Sequence, residues 1–459
     1  MSVQGNYDVA IVGGGPAGLA VGSELSKKLK VLVIDKGEPP ATIKAWFIPK
    51  DLVEKNPDVE PYTFGGVTRF MAQTYSGAKA RWKTELFDRY PYVKPEILGY
   101  WKNIIEKNGS KIVSRCFYED HLAANGKVVL KTSKGTAEAR LLIDASGWNS
   151  PILAKYEITH NSYYWWSVFG AVAKHPGGIK KPMEVGDYML WQTFEDTNLD
   201  KNASLRSGRP VFEYEIYDEN TSLSLVLWLT REMVDVDFMK EVYLRVIREE
   251  KDTEPFHDLE ITDKDWRYGW YPSGGLTMRV ARDNVAFIGD AGSWCTPCGW
   301  GMGFILDNYK GYAKNLIQNI NENKLDRSSL ENLVSLPVYD QYQTVLNQLA
   351  SHFLANGTAA QLDKFVKLFN QDSSVHVDPI ICEKMFTLKI TESDLKTCIN
   401  AVLKTFELKE LIEILPREDY LLLLKLGELS IEEALWDKTY RLLHQGKGPK
   451  RPLGDGYSF

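Results

Sequence analysis

Apolar positions recur along this chain with two different periods. Asp8-Val9-Ala10-Ile11-Val12 is a run rich in β-branched residues and predicts a strand from Tyr7 to Val12. The glycine cluster Gly13-Gly14-Gly15-Pro16-Ala17-Gly18 ends it, and the pattern from Leu19 to Lys27 then predicts a helix. Lys30-Val31-Leu32-Val33-Ile34 predicts a second strand, and Leu141-Leu142-Ile143 and Asn284-Val285-Ala286-Phe287-Ile288 predict two more. Between these, Phe212 to Ile216 and Leu223 to Leu229 read as antiparallel strands around a turn at Asp218-Glu219-Asn220. From Leu333 onward the pattern changes to helix, with Leu346, Leu349, Phe353 and Leu354 at three- and four-residue steps. Thr391-Glu392-Ser393-Asp394 has the hydroxyl and the acid of a capping box. The run from Tyr420 to Leu426 is more apolar than one buried helix face needs; it suits the core of a small helical domain, closure of a cavity, or contact with lipid. Gly446 to Phe459 reads as an extended tail.

Composition narrows the class. The 459 residues are 44% hydrophobic and 25% charged, the balance of an ordinary globular protein of two or three domains. A net charge of -6 gives no long-range attraction to nucleic acid, so none is expected as a partner. No stretch approaches the roughly eighteen apolar residues that cross a bilayer. The strand starting at Tyr7 leaves no room for a cleavable leader, and the expectation is a cytoplasmic protein with at most peripheral membrane contact. Five cysteines are too few and scattered for a disulfide framework. There are 13 Trp and 23 Tyr, many of them mid-chain (Tyr164, Trp165, Trp166), in numbers that suit the wall of an apolar ligand cavity as well as sheet packing. Trp46, Trp191, Trp228, Trp270 and Trp294 are the candidate substrate-lining rings. His175 and His257 fall near turns and read as surface or capping residues rather than general bases. No second C-x-x-C or paired His lies near Cys295 and Cys298 in sequence, so no metal site is expected.

The glycine cluster lies between strand and helix, the context in which G-x-G-x-x-G binds a dinucleotide. Gly13 permits the tight turn, Gly15 lets a pyrophosphate approach, and Gly18 allows close helix packing; Pro16 and Ala17 open the helix whose N–H groups meet the phosphates. Asp35, followed by Lys36, ends the second strand where an acid would accept the ribose hydroxyls. Ala145-Ser146-Gly147 supplies small residues at a third strand end. Gly289 and Asp290, with Pro297, Gly299, Gly301 and Met302, form a later loop and helix start, which a simple NAD fold does not need. Cys295-Thr296-Pro297-Cys298 lies inside that loop. At a helix start the pair could be a redox couple, the one candidate catalytic group, or two small side chains filling a tight turn.

These three segments, in this order, resemble the FAD-dependent hydroxylase-like superfamily, and more closely its branch of geranylgeranyl reductases and lycopene cyclases. The likeness rests on Tyr268-Gly269-Trp270-Tyr271-Pro272-Ser273-Gly274-Gly275 followed by Ile288-Gly289-Asp290-Ala291-Gly292, with weaker similarity at Phe169 to Val172, Tyr188 to Trp191, Leu388 to Leu395 and Leu421 to Leu429. It implies an α/β fold: a Rossmann-type FAD domain of the glutathione reductase kind from 1–40, 110–155 and 276–330. Substrate-binding excursions at 41–109 and 156–275 would carry an antiparallel sheet, with helices over 331–445 and a tail over 446–459. It also implies FAD, with Asp35 on the adenosine ribose and Asp290 on the ribityl chain or pyrophosphate, and an apolar isoprenoid- or lipid-like substrate. Reduction of carbon–carbon double bonds is the activity expected first, with monooxygenation or non-redox cyclisation as alternatives. With no second G-x-G-x-x-G, NAD(P)H would bind transiently or a reduced carrier protein would donate electrons. The chain departs from the family where Pro95, beside Lys94, stands in place of an arginine. Ala45-Trp46-Phe47-Ile48-Pro49 replaces a cysteine region, and Leu225 to Thr230 lacks the cyclases' paired glutamates.

Overall fold

The computed structural model describes residues 2–39, 45–158, 162–194, 210–274, 280–292, 294, 301–331, 333, 341–387 and 389–415. Cys295, Cys298, Pro297, Gly299, the apolar run at 420–426 and the tail at 446–459 lie outside the described residues.

Buried β-branched runs pair side by side in an eight-stranded sheet. Its main path runs Lys111–Val113, Val31–Ile34, Asn6–Val12, Gly135–Asp144, Val285–Phe287, Ala281–Arg282. The first five are parallel to one another, as expected of strands buried on both faces. The hairpin Tyr118–Ala124 and Lys127–Thr132 extends the sheet antiparallel to Gly135–Asp144. On one face lie the helices Pro16–Ser26, Glu96–Lys107 and Gly301–Asn321. The helix Glu96–Lys107 packs against Pro16–Ser26 and runs into Lys111–Val113, so this layer begins ahead of residue 110.

Both excursions contribute to one further sheet of seven strands, ordered Trp266–Gly274, Ser162–Lys174, Thr221–Thr230, Val211–Ile216, Asp187–Thr193, Arg69–Gln73, Lys79–Lys83. The hairpin expected around 218–220 is there, pairing Phe212 with Val226. The sheet is antiparallel except where Asp187–Thr193 runs parallel to Arg69–Gln73. At that junction the Arg69 guanidinium meets the fully buried Asp187 carboxylate at 2.5 Å. Phe169, Ala171, Phe212, Tyr214, Val226 and Trp228 pack on the helix Val236–Glu249, which covers the sheet's back. A small sheet of Trp46–Phe47, Tyr90–Val93 and Thr63–Val67 leans on the front.

The helices Gln341–Asn356, Ala359–Lys367, Pro379–Phe386, Glu392–Thr405 and Leu408–Ile414 share their own apolar core. Thr391 caps its helix, its hydroxyl accepting from Asp394 N–H while the Asp394 carboxylate accepts from Thr391 N–H. This region buttresses the seven-stranded sheet. Phe365 stacks on Trp191 (ring centroids 5.6 Å apart), Phe386 stacks on Phe70 (5.7 Å), and Glu383 accepts from Tyr90 Oη at 2.6 Å and from Glu85 N at 2.9 Å. Among the described residues no helix is long and apolar enough to cross a membrane, and no cluster of three His, Cys, Asp or Glu side chains is arranged around a metal position.

One histidine differs from expectation. His175 is buried, its Nε2 2.8 Å from Ser222 Oγ, because its turn is folded back under Phe256; burial lowers its pKa. His257 is exposed, with Nε2 3.0 Å from the Glu250 carbonyl.

Candidate functional site

The three glycine-bearing segments meet at the carboxyl ends of the parallel strands, where ligands bind in open α/β sheets. Gly13 N–H donates to Ile34 O at 2.8 Å, Ala145 N–H to Val12 O at 2.8 Å, and Ile288 N–H to Asp144 O at 2.8 Å. At Gly13, φ is +111° and a Cβ would lie 2.2 Å from Ala145 O; at Gly18 a Cβ would lie 2.0 Å from Gly13 O. Only glycine permits this approach. A Cβ on Gly289 would stand 2.8 Å from Ala17 Cβ, which places Gly289 and Asp290 at the amino end of the first helix. That helix has Gly15 as N-cap, Pro16 in its first turn, no side-chain cap and no acid in the first turn. Nothing lies within 4 Å of a Cβ built on Gly15.

Asp35 is half-buried, accepting from Gly14 N–H and from Gly37 N–H, each at 2.6 Å; Lys36 is exposed. Ser146 and Gly147 form a turn organised by Asp144, a residue the sequence did not single out. Its fully buried carboxylate accepts from Ser146 N–H at 3.0 Å and from the Ser146 and Ser150 hydroxyls. Asp290 is half-buried, its Oδ1 3.8 Å from a Cβ built on Gly301. Met302 instead points into the apolar core beside Phe304. Lys94 stands over the Phe64 ring at 5.6 Å, while Lys102 Nζ reaches Pro39 O at 3.3 Å and Arg115 pairs with Glu38 at 2.6 Å, so these two cations come to the loop following Asp35.

The aromatic candidates separate by face. Alternation along a strand sends Trp228 and Trp270 to the back of the seven-stranded sheet. There Trp228 packs near Phe238 and Trp270 Nε1 donates to Val234 O at 2.9 Å. Trp294 is in the core of the first sheet between Phe304 and Tyr312. Trp46 packs against that same core from the small sheet. Of the five, only Trp191 lies on the front face.

Trp166, one of the mid-chain aromatics noted in the sequence, is on the front face near Tyr271 (6.3 Å); front-face residues outside the sequence candidates include Tyr188 against Phe47 (5.0 Å) and Tyr217 against Tyr92 (4.7 Å). Glu213 and Glu215 join them, since Phe212, Tyr214 and Ile216 between and beside them face the back helix. Strict alternation in Val211–Ile216 was the available signal. Tyr188 interacts electrostatically with Tyr271, four strands away on the same face. Burial first, and then the glutamate charges, hold Tyr92, Tyr188 and Tyr217 protonated far above the ordinary tyrosine range. Trp166, Val168, Leu190, Trp191, Glu213 and Tyr271 are only half-buried, so this face is incompletely covered.

Comparison with known proteins agrees with this geometry. Residues 10–168 match the family model described as pyridine nucleotide-disulphide oxidoreductase. The monomeric sarcosine oxidase of Arthrobacter sp. (strain TE1826) is 26% identical over a match covering 34% of this chain and 56% of that enzyme. The chain thus matches little more than half the length of that relative. Among solved structures, a geranylgeranyl bacteriochlorophyll reductase-like protein from Thermoplasma acidophilum superposes on 90% of this chain and 100% of its own, at 16% identity and a TM-score of 0.66. A halogenase in complex with phloroglucinol and FAD covers 76% of each chain at 14% identity and a TM-score of 0.55.

The fold is that of the FAD-dependent oxidoreductases.

In this flavoenzyme fold the residues present suit a dinucleotide. The uncapped helix start offers N–H groups to a pyrophosphate, the space above Gly15 is open, and each Asp35 oxygen keeps acceptor capacity for a ribose hydroxyl. The glycine-rich start of Gly301–Asn321 faces the first excursion, with a Cβ on Gly303 lying 3.8 Å from Pro49 Cδ.

Proposed function

We propose that this chain binds FAD and acts as an oxidoreductase on an apolar, isoprenoid- or lipid-like substrate, reducing its carbon–carbon double bonds. The observation that carries the reading is the meeting of three strand ends at one uncapped helix start, in a chain whose second sheet has an aromatic front face. Gly13, Gly15, Pro16, Ala17 and Gly18 hold the pyrophosphate, Asp35 holds the adenosine ribose, and Ala145, Ser146 and Gly147 border the cofactor. Asp290 and Gly301 hold its ribityl side. Bound reduced flavin supplies a hydride equivalent. The protein's part is to orient an apolar chain along Trp166, Trp191, Tyr188 and Tyr271 and to exclude water from it. The reductase-like neighbour that covers most of the chain favours reduction. Electrons reach the flavin from NAD(P)H or a reduced carrier protein.

The test is anaerobic incubation of reduced protein with a geranylgeranyl lipid, following flavin absorbance and product mass together. Stoichiometric flavin oxidation with a product two mass units heavier is the expected result. Product without flavin oxidation would make the protein a cyclase or isomerase, and turnover only with oxygen would make it a monooxygenase.

A further inference from the structure

Adding two hydrogens across a double bond takes a hydride on one carbon and a proton on the other, and a wall of the substrate site that carries carboxyl groups can give the proton. The front face is such a wall. Glu213 and Glu215 stand two residues apart on Val211–Ile216, opposite Leu225 and Leu223, so both carboxyl groups leave the sheet on the same side. Tyr188 is the direct cross-strand neighbour of Glu215. Tyr92 comes down from the small sheet and Tyr217 from the end of the strand, and both side chains are buried beside Glu215. From the far edge of the sheet Arg267 interacts electrostatically with Tyr217 and Tyr271 with Tyr188. The cluster borders the proposed flavin position: Phe47 packs on Tyr188, and Pro49, two residues on, lies against Gly303 at the glycine-rich helix start.

The geometry points to Glu213 as the proton donor to the substrate, with Glu215 and its tyrosines as the positioning group that keeps Glu213 protonated; this rests on the reading of the site as an alkene reductase. Carboxyl groups at alternate positions of one strand, in an apolar wall, disfavour each other's ionisation. Glu215 is almost fully buried beside the Tyr92 and Tyr217 hydroxyls, which suit an anion. Its charge opposes ionisation of Glu213, which is half-buried on the same face and interacts with Tyr188. In turnover the π bond breaks. The hydride for one carbon would come from bound reduced flavin, which would be oxidised by two electrons; the other carbon takes the Glu213 proton, and the carboxylate left behind regains a proton from solvent.

Two measurements test this. Difference infrared spectroscopy on flavin-free protein labelled with carbon-13 in glutamate should show a protonated carboxyl carbonyl at neutral pH that is lost in Glu213→Gln; absence of any such band in the unsubstituted protein would overturn the assignment. In anaerobic single turnover of reduced holoprotein with a geranylgeranyl lipid, Glu213→Gln should slow flavin oxidation by on the order of 10²-fold or more, with lipid affinity unchanged and Glu213→Asp partly active. An unchanged rate in Glu213→Gln would sink it equally. If unsubstituted protein reduces no lipid, the reductase reading fails by itself, and the infrared result still decides whether the acid exists. Should Glu213→Gln not fold, the band's pH titration in unsubstituted protein, shifted down in Glu215→Gln, decides the point.

Discussion

At the strand ends of the eight-stranded sheet the groups that would meet a ligand are mostly main-chain N–H groups and bare α-carbons, whereas the front of the seven-stranded sheet offers side chains from six separate strands and loops. The first kind of site is local in sequence. Its geometry follows from a strand, a glycine turn and a helix in immediate succession, and each piece can be replaced only at a cost to the backbone. The second kind is assembled by pairing. Tyr188, Glu213, Tyr217, Arg267 and Tyr271 share one face only because the strands pair in one order and register. A site of the first kind is therefore stiff and generic, and one of the second can be revised residue by residue without touching the fold.

Three perturbations would break or sharpen that contrast. The largest effect belongs to Gly13→Ala, which forces a side chain into a left-handed backbone position and against Ala145 O. A loss of about 3 kcal/mol or more in denaturant stability is expected, together with protein that purifies colourless after flavin reconstitution. Retention of a normal flavin spectrum would mean that the glycine turn does not set the site. Next come the paired substitutions Trp228→Ala and Trp166→Ala. The first empties a back-face core position and should cost about 3–5 kcal/mol while leaving ligand preference alone. The second should cost far less stability and weaken lipid binding, measured by flavin fluorescence titration; equal effects on binding would erase the distinction between the faces.

The smallest effect concerns a side-chain network within the first sheet. His121 lies between the Tyr118 and Tyr156 hydroxyls at 2.7 and 2.8 Å, and burial, reinforced by Lys155 and opposed by Asp120, lowers it from 6.5 to about 4. Between those values the unfolded chain binds the additional proton. The stability this contributes is thus complete above about pH 6.5 and is lost as pH falls toward 4, by up to about 3 kcal/mol. Urea midpoints at stepped pH should show that slope in unsubstituted protein and a flatter one in His121→Gln.

What could be read beforehand follows the same division. The strand-turn-helix at residues 7–27, the acid at Asp35, the hairpin around Asp218 and the capping box at Thr391 depend on neighbours in sequence, and each is found in place. Which tryptophans face a cavity was not legible, because that depends on which side of the sheet the helix Val236–Glu249 covers. Glu213 and Glu215 escaped notice for a related reason. The stretch Leu225 to Thr230 has no carboxylate, while its hydrogen-bonded neighbour carries two. Nor could local pattern reveal that Asp144 braces the turn at Ser146, since that role needs Ser150 brought round by the start of a short helix.

The parallel seam between Arg69–Gln73 and Asp187–Thr193 has a consequence for biosynthesis. Arg69 and Asp187 are 118 residues apart, so the earlier hairpin emerges from the ribosome with a bare strand edge and a guanidinium lacking its counter-ion. It must wait for much of the chain to be translated before either is satisfied. Exposed edges held open by such delays invite wrong partners. The nascent polypeptide should therefore lean on chaperones during that interval, and neither excursion should survive as an excised module.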